Sequence, residues 1–302
     1  MRLLKSLLLV FLMTQSALPC AWITGTKYNG KRGEVSPHSG VRTLQNALQR
    51  NPRPDGAQME TELRGKADLD SRNDYAVALM YLGRSKEAVE LLQTLEKEQP
   101  GIYYTAANLG TAYELSGDNE KALHWIQEGI RRNPDSHDGT EWLHVKILQA
   151  KIAQQKSSDY FKKHSVLGFR PEDIHDEIVI DGEKFPVKEV QRAIEYQLAE
   201  RLQFVKPRDP AVASLLFDYA AIEAAINSME TAKGVLKMAM EFGYPRHQIE
   251  PWLSSYDWKI RWAAIKFYTP FGLGCLAVIG YFVFRCKGQW YKFAWSSKDL
   301  KR

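Results

Sequence analysis

This chain has little of what redox or metal chemistry needs. Its 302 residues include only three cysteines, Cys20, Cys275 and Cys286. None of them forms a C-x-x-C pair, and no H-E-x-x-H, G-x-S-x-G or P-loop sequence occurs. Low-complexity tracts are absent, and so are N-x-[ST] acceptor sites. Charge of one sign is also scarce. Arg2 and Lys5 near the start, with Arg285, Lys287, Lys292, Lys298, Lys301 and Arg302 against Asp299 near the end, exceed the whole net charge of +5. The intervening chain is net acidic, which gives no support for nucleic-acid binding by it, since such a partner wants a basic face. Asp70, Asp74, Glu114, Glu120 and Glu141 scatter along helical segments without the pairing of an acid–base dyad. His137 and His144 lie seven apart with Glu141 between them, two turns along one helix face, and could approach a metal. The simpler reading packs His144 between helices and sets His137 at a helix start. His175-Asp176-Glu177 reads as a solvated turn. No catalytic residue, metal or cofactor is expected, and the chain is not read as an enzyme.

Long apolar runs are confined to the two ends, and they differ. Residues 1–20 carry Arg2 and Lys5, then the run Leu7 to Met13, then small and polar residues, the layout of a signal peptide. Cleavage near Cys20 or Ala21 is expected, and lipidation of Cys20 is a weaker alternative because Ala17-Leu18-Pro19 fits that signal poorly. Phe267 to Phe284 is uncharged and extends back to Ala263 past Lys266. Eighteen residues reach about 27 Å as a helix, near the hydrocarbon thickness of a bilayer. Trp258 and Trp262 precede the run, and Trp290, Tyr291 and Trp295 follow it, as in an interfacial aromatic belt. A single transmembrane helix over 263–284 is therefore expected, followed by a basic cytoplasmic tail, 285–302. The exported part then holds no cysteine pair and must be stable through packing alone.

Between the ends the sequence repeats itself at a spacing of 34 residues. Gly83 aligns with Gly117, Ala88 with Ala122 and Pro100 with Pro134, while Leu79, Leu92 and Leu95 fall opposite Tyr113, Ile126 and Gly129. That period predicts stacked helical hairpins. The second unit, Tyr103 to Ser136, resembles a tetratricopeptide repeat: Leu109-Gly110 and Tyr113 in a first helix, a Gly117-Asp118 turn, Ala122, Ile126 and Gly129 in a second, and Pro134 at its end. In the first unit, from Leu69, Ala76 replaces the glycine and Leu79 the tyrosine. The resemblance is to a membrane-anchored, bacterial-type member of that family and covers about a quarter of the chain. It implies an all-α, tetratricopeptide-like α-hairpin solenoid whose concave face holds a peptide or protein partner. The first-helix positions facing that groove are implied to be Asn73, Val77, Met80 and Tyr81, then Tyr104, Ala107, Thr111 and Glu114, then Glu141, Val145 and Leu148. This mixture of apolar, aromatic and acidic groups suits an extended or helical peptide with apolar anchors. Asn73 and Val77 do not supply the lysine and asparagine of the family's carboxylate clamp.

The remaining chain divides by composition. Residues 21–68 read as an irregular arm, Ala21 to Val35, followed by short helices over Val41–Gln49 and Glu60–Ala67. The repeats and a capping helix from His137 to about Gln155 occupy 69–156. In the insertion 157–186, Glu177–Ile180, Asp181-Gly182 and Glu183–Phe185 form a β-hairpin pattern. Degenerate helical hairpins occupy 187–258. The expected function is a membrane-tethered scaffold, with the repeat domain in the periplasm, one pass through the inner membrane and a cytoplasmic C-terminus. A ligand or enzymatic site within 157–204 around His164, Arg170, His175, Asp176 and Glu177 is one alternative. A structural subunit making its contacts through the basic tail is another. The partner's identity and the oligomeric state are not encoded in any local pattern.

Overall fold

The computed structural model describes residues 24–35, 40–50 and 54–296. The expected signal peptide, Cys20 and the tail beyond residue 296 lie outside them. The described chain is mostly helical with two small antiparallel hairpins. Residues 24–34, read from sequence as irregular, form the first: β1 (Thr24–Thr26) pairs with β2 (Arg32–Glu34). Helices α1 (Val41–Arg50) and α2 (Gly56–Leu63) follow. The Asp55 carboxylate caps α2 by accepting from the N–H groups of Ala57 and Gln58, and α2 begins and ends about four residues earlier than the sequence suggests.

The 34-residue period corresponds to two consecutive helix pairs. They are α3 (Leu69–Tyr81) with α4 (Ser85–Glu98), and α5 (Tyr103–Ser116) with α6 (Asn119–Arg132). Asp68 and Asp118 cap α3 and α6 by accepting from the N–H groups of Ser71 and Lys121. The turns within the pairs are built alike. Gly83 and Gly117 take the left-handed conformation, with φ of 77° and 92°. The following N–H groups reach back to Leu79 O at 2.8 Å and to Tyr113 O at 3.0 Å, a Schellman closure at both sites. Gly110 permits the close approach of α5 and α6, since a Cβ there would stand 2.6 Å from Ile126 Cδ1 and 3.0 Å from Ile126 N. Ala76, Leu79, Leu92, Leu95, Leu109, Ala122 and Ile126 form the core of this array.

A turn over Ser136–Gly139 leads to α7 (Glu141–Lys156). This helix does more than cap the stack. Leu148 belongs to the array core, whereas Leu143 and Ile147 belong to a second, larger core. That core is built by α9 (Val187–Phe204), α10 (Pro210–Ile222, continuing as a π-helical segment to Asn227) and α11 (Met229–Glu241). Between α7 and α9 come the single turn α8 (Tyr160–Lys163) and the second hairpin, β3 (Glu177–Ile180) with β4 (Glu183–Pro186). Asp181 and Gly182, at φ 52° and 86°, make the expected two-residue turn. Phe185 stacks on Trp142 at 5.1 Å, which fixes the hairpin against α7.

The last helix, α12 (Arg246–Ser296), begins 17 residues before the expected span and runs on as one rod of about 76 Å. Its first turns belong to the folded body, where Ile249, Tyr256 and Ala263 are buried. The β1–β2 hairpin leans on the same stretch, with Lys259 Nζ 3.4 Å from the centre of the Tyr28 ring. Beyond Ala263 the described large apolar side chains, among them Ile265, Leu273, Leu276, Ile279 and Phe284, are exposed, Phe284 to 80%. Among the described residues this is the one helix long and apolar enough to cross a membrane.

Candidate functional site

The first helices of the array present the positions named above, but unequally. Asn73, Met80, Ala107, Glu114, Glu141 and Leu148 are buried. Val77, Tyr81, Tyr104, Thr111 and Val145 are half-buried. Asn73 spans the two units by donating from Nδ2 to Thr105 Oγ1 at 3.2 Å. Tyr104 donates its hydroxyl to Asp70 at 2.6 Å, across the same junction. Val145 lines a shallow apolar recess of about 350 Å³ with Ile130, Trp142 and Phe185.

Burial at Glu114 and Glu141 has a specific cause: the C-terminal turns of α9 lie against the first helices. The Phe204 ring stacks on Tyr81 at 4.7 Å with the planes 3° apart, and Tyr81 donates its hydroxyl to Gln203 Oε1 at 3.0 Å. One turn earlier, Arg201 grips Glu114 through Nη1 at 2.6 Å and Nη2 at 3.2 Å. The same carboxylate accepts from Lys151 Nζ and from His144 Nε2, both at 2.8 Å. His144 Nδ1 faces Glu141 Oε2 at 3.3 Å, and Glu141 Oε1 meets His137 Nδ1 at 2.5 Å. Gln197 Nε2 closes the chain at Thr140 Oγ1, 3.4 Å away. Three elements distant in sequence (α5, α7 and α9) are joined by one buried polar network.

The electrostatics follow from this geometry. Burial disfavours the Glu114 carboxylate, but the charges of Arg201 and Lys151 and the His144 hydrogen bond outweigh it and hold Glu114 well below the usual carboxylate range. Glu141 is likewise held low against its burial by His137 and His144. For His144, burial and the Arg201 charge favour the neutral ring. The hydrogen bonds to Glu114 and Glu141 overcome both and raise it above the ordinary histidine value. An imidazole flanked by carboxylates at both nitrogens is satisfied only as the cation, which donates twice. His137 is raised by its bond to Glu141, against its burial. At the rim, burial raises Glu200 and pushes Tyr196 up to about 12.

The backbone beneath this network is unusual. His137, Asp138 and Gly139 are consecutively left-handed, with φ of 52°, 57° and 68°. That conformation costs a non-glycine residue about 1–2 kcal/mol. It turns His137 back onto Glu141 and against the Tyr196 ring, 5.8 Å away. The network encloses a cavity of about 90 Å³, lined also by Thr111, Leu115, Phe204 and Val205. It is no ready metal centre: both His144 nitrogens face carboxylates, and the Glu114 oxygens are taken by cations.

The residues proposed for a site within 157–204 do not gather. His164 and Arg170 line one recess of about 440 Å³, whereas His175 and Asp176 line another of about 430 Å³. Glu177 pairs instead with Lys184 across the β3–β4 hairpin, at 3.1 Å. Sequence reasoning missed Lys151, Gln197, Glu200 and Arg201. A signal existed for two of them: Gln197 and Arg201 share the helical face of Val190, Ile194 and Leu198, where a buried cation needs a distant partner. Comparison with protein-family models and with curated proteins finds no match to this chain.

Proposed function

We propose that this protein is a membrane-tethered interaction scaffold in which a tetratricopeptide-like array holds a peptide or protein partner beside the bilayer. The observation that carries the reading is the pair of helix hairpins, 34 residues apart, closed by the same left-handed glycine turn at Gly83 and Gly117. Stacked units of this kind bury a shared core and leave side chains of the first helices for a partner. The tether in this reading is α12, whose uncovered apolar side chains, such as Ile265, Leu273, Leu276, Ile279 and Phe284, suit lipid contact. The setting is a bacterial inner membrane, with the array exported, a single pass and the C-terminus in the cytoplasm. Confinement raises the effective concentration of the array toward membrane partners.

Because α9 covers the Tyr81–Glu114 end of the first-helix face, the partner engages the half-buried positions outside it, Val77, Tyr104 and Val145. The test is photo-crosslinking in intact membranes from residues introduced at Val77, Tyr104 and, as a control on the opposite helices, Lys97. A distinct protein caught from Val77 or Tyr104 but not from Lys97 is the expected result. Capture of nothing beyond the chain itself at all three positions removes the scaffold reading.

A further inference from the structure

The cavity at the α5–α7–α9 junction is supplied with more donors than its own carboxylates use. Glu114 occupies both terminal nitrogens of Arg201, yet Nε of the same guanidinium has no hydrogen-bond partner, although the side chain is only 9% exposed. A buried N–H of a charged group left without an acceptor is destabilising, because its lost hydration is not replaced. His137 spends Nδ1 on Glu141, and its Nε2 has no partner among the described residues. The ring is 44% exposed and forms the mouth. Lys151 uses one of its three protons on Glu114.

The volume limits the occupant. About 90 Å³ is the liquid-volume share of about three waters. The charge limits it too. The two carboxylates Glu114 and Glu141 face three cations, Arg201, Lys151 and protonated His144, and a protonated His137 adds a fourth positive charge. Three carboxylates line the cavity; Glu114 and Glu141 are paired with these cations, and Glu200 at the rim, whose burial raises its pKa, is the one left to oppose an anion.

We propose that this cavity binds a small oxyanion, a free carboxylate or phosphate of about three to five heavy atoms, held by the Nε–H of Arg201 and the Nε2–H of His137. Arginine and imidazolium are the natural donors for such a group, and a charge-assisted hydrogen bond to Nε uses the side of the guanidinium fork that Glu114 leaves free. The site does not depend on the array's holding a partner. It places a small metabolite or inorganic anion at the seam between the two cores.

The test uses the full chain in detergent micelles with ¹³C-labelled histidine. Sodium acetate and sodium phosphate are titrated separately at fixed pH, against sodium chloride at equal ionic strength. The His137 ring resonance, identified by its loss in His137→Gln, is expected to shift saturably with one or both oxyanions and not with chloride. Acetate alone marks a carboxylate site; phosphate alone marks a phosphate site. Arg201→Lys, which keeps the charge beside Glu114 but has no Nε–H, weakens binding at least tenfold. Glu200→Gln, at the rim, tightens it about threefold, a direction that misfolding does not produce. If Arg201→Lys does not fold, Glu200→Gln decides alone, and unchanged or weaker binding there overturns the proposal. A wild-type shift that only tracks ionic strength means the cavity holds water and also overturns it. So does Arg201→Lys binding as well as wild type.

Discussion

Removal of Glu114 tests whether the buried network holds the two cores together. Glu114 is 5% exposed and pairs with three cations, but these differ in their means of escape. Lys151 is 22% exposed and can swing its ammonium to water. His144 can release its proton once one of the carboxylates that raised it is gone. Arg201 can do neither, because it does not deprotonate and its side chain is buried. The cost of Glu114→Ala therefore concentrates on one stranded guanidinium, about 3–5 kcal/mol. Adding Arg201→Met removes the stranded charge, so the double variant recovers about 2–3 kcal/mol relative to the sum of the single changes. Urea unfolding of the four proteins in detergent, followed by tryptophan fluorescence, gives the coupling. A single-variant cost below about 1 kcal/mol, or strict additivity, refutes the reasoning. The pH dependence adds a second check. The folded-state value of His144 is raised, so its contribution is complete below the ordinary histidine value and is lost as pH rises through the raised one. Glu114 behaves oppositely, its contribution being present above the ordinary carboxylate value and lost as pH falls through the lowered one. Stability should fall between mildly acid and mildly alkaline pH, and Glu114→Gln should shrink that fall.

Three other outcomes follow from the packing. Gly110→Ala gains about 1 kcal/mol of helix propensity but drives a methyl into Ile126, at an overpacking cost of about 1–3 kcal/mol. A net loss of up to about 2 kcal/mol is expected in chemical denaturation, relieved by Ile126→Val, and an unrelieved loss places the clash elsewhere. Asp218, buried on α10, accepts from Ser165 Oγ at 2.5 Å and Leu167 N at 2.9 Å, yet burial pushes it up to about 7. The folded protein therefore binds that proton more tightly than the unfolded chain, and stability falls as pH rises from about 4 to 7, on the order of 4 kcal/mol for a shift of this size. Asp218→Asn should flatten this part of the slope in near-UV circular dichroism melts; an unchanged slope assigns it to other groups. Leu276→Arg, on the exposed part of α12, should move the protein from the membrane pellet toward the soluble fraction, with a cost of about 3 kcal/mol at a bilayer centre. Unaltered carbonate-resistant pelleting would mean that α12 is not the tether.

The readable and unreadable parts of this protein divide along particular residues. The Gly83 and Gly117 turns and the Asp181-Gly182 hairpin were legible because each is decided within a few residues of chain. The β1–β2 hairpin was not. Its strands are three residues long, and it is held by distant groups, with Thr26 bonded to Glu230 and Tyr28 N–H to Ala224 O. The role of α7 was half legible. Its helical period was evident, but Leu143, Ile147 and Leu148 serve two different cores, and a single stripe analysis assigns a helix only one. Of the network, His137, Glu141 and His144 stand out as a cluster, while Arg201, 87 residues from Glu114, carries no local mark of its partner.

Local pattern by itself determined that residues 69–132 form two like helix pairs and that one long apolar helix stands near the C-terminus. Backbone hydrogen bonds, caps and apolar periodicity act between near neighbours, and these are written directly in the chain. Only the tertiary structure decided that α9 lies against the first helices, that Glu114 and Glu141 are buried rather than open to a groove, and that a small polar cavity results. A buried charge is tolerated only beside its counter-charge, and where that counter-charge stands depends on how two separate hydrophobic cores come to rest against each other.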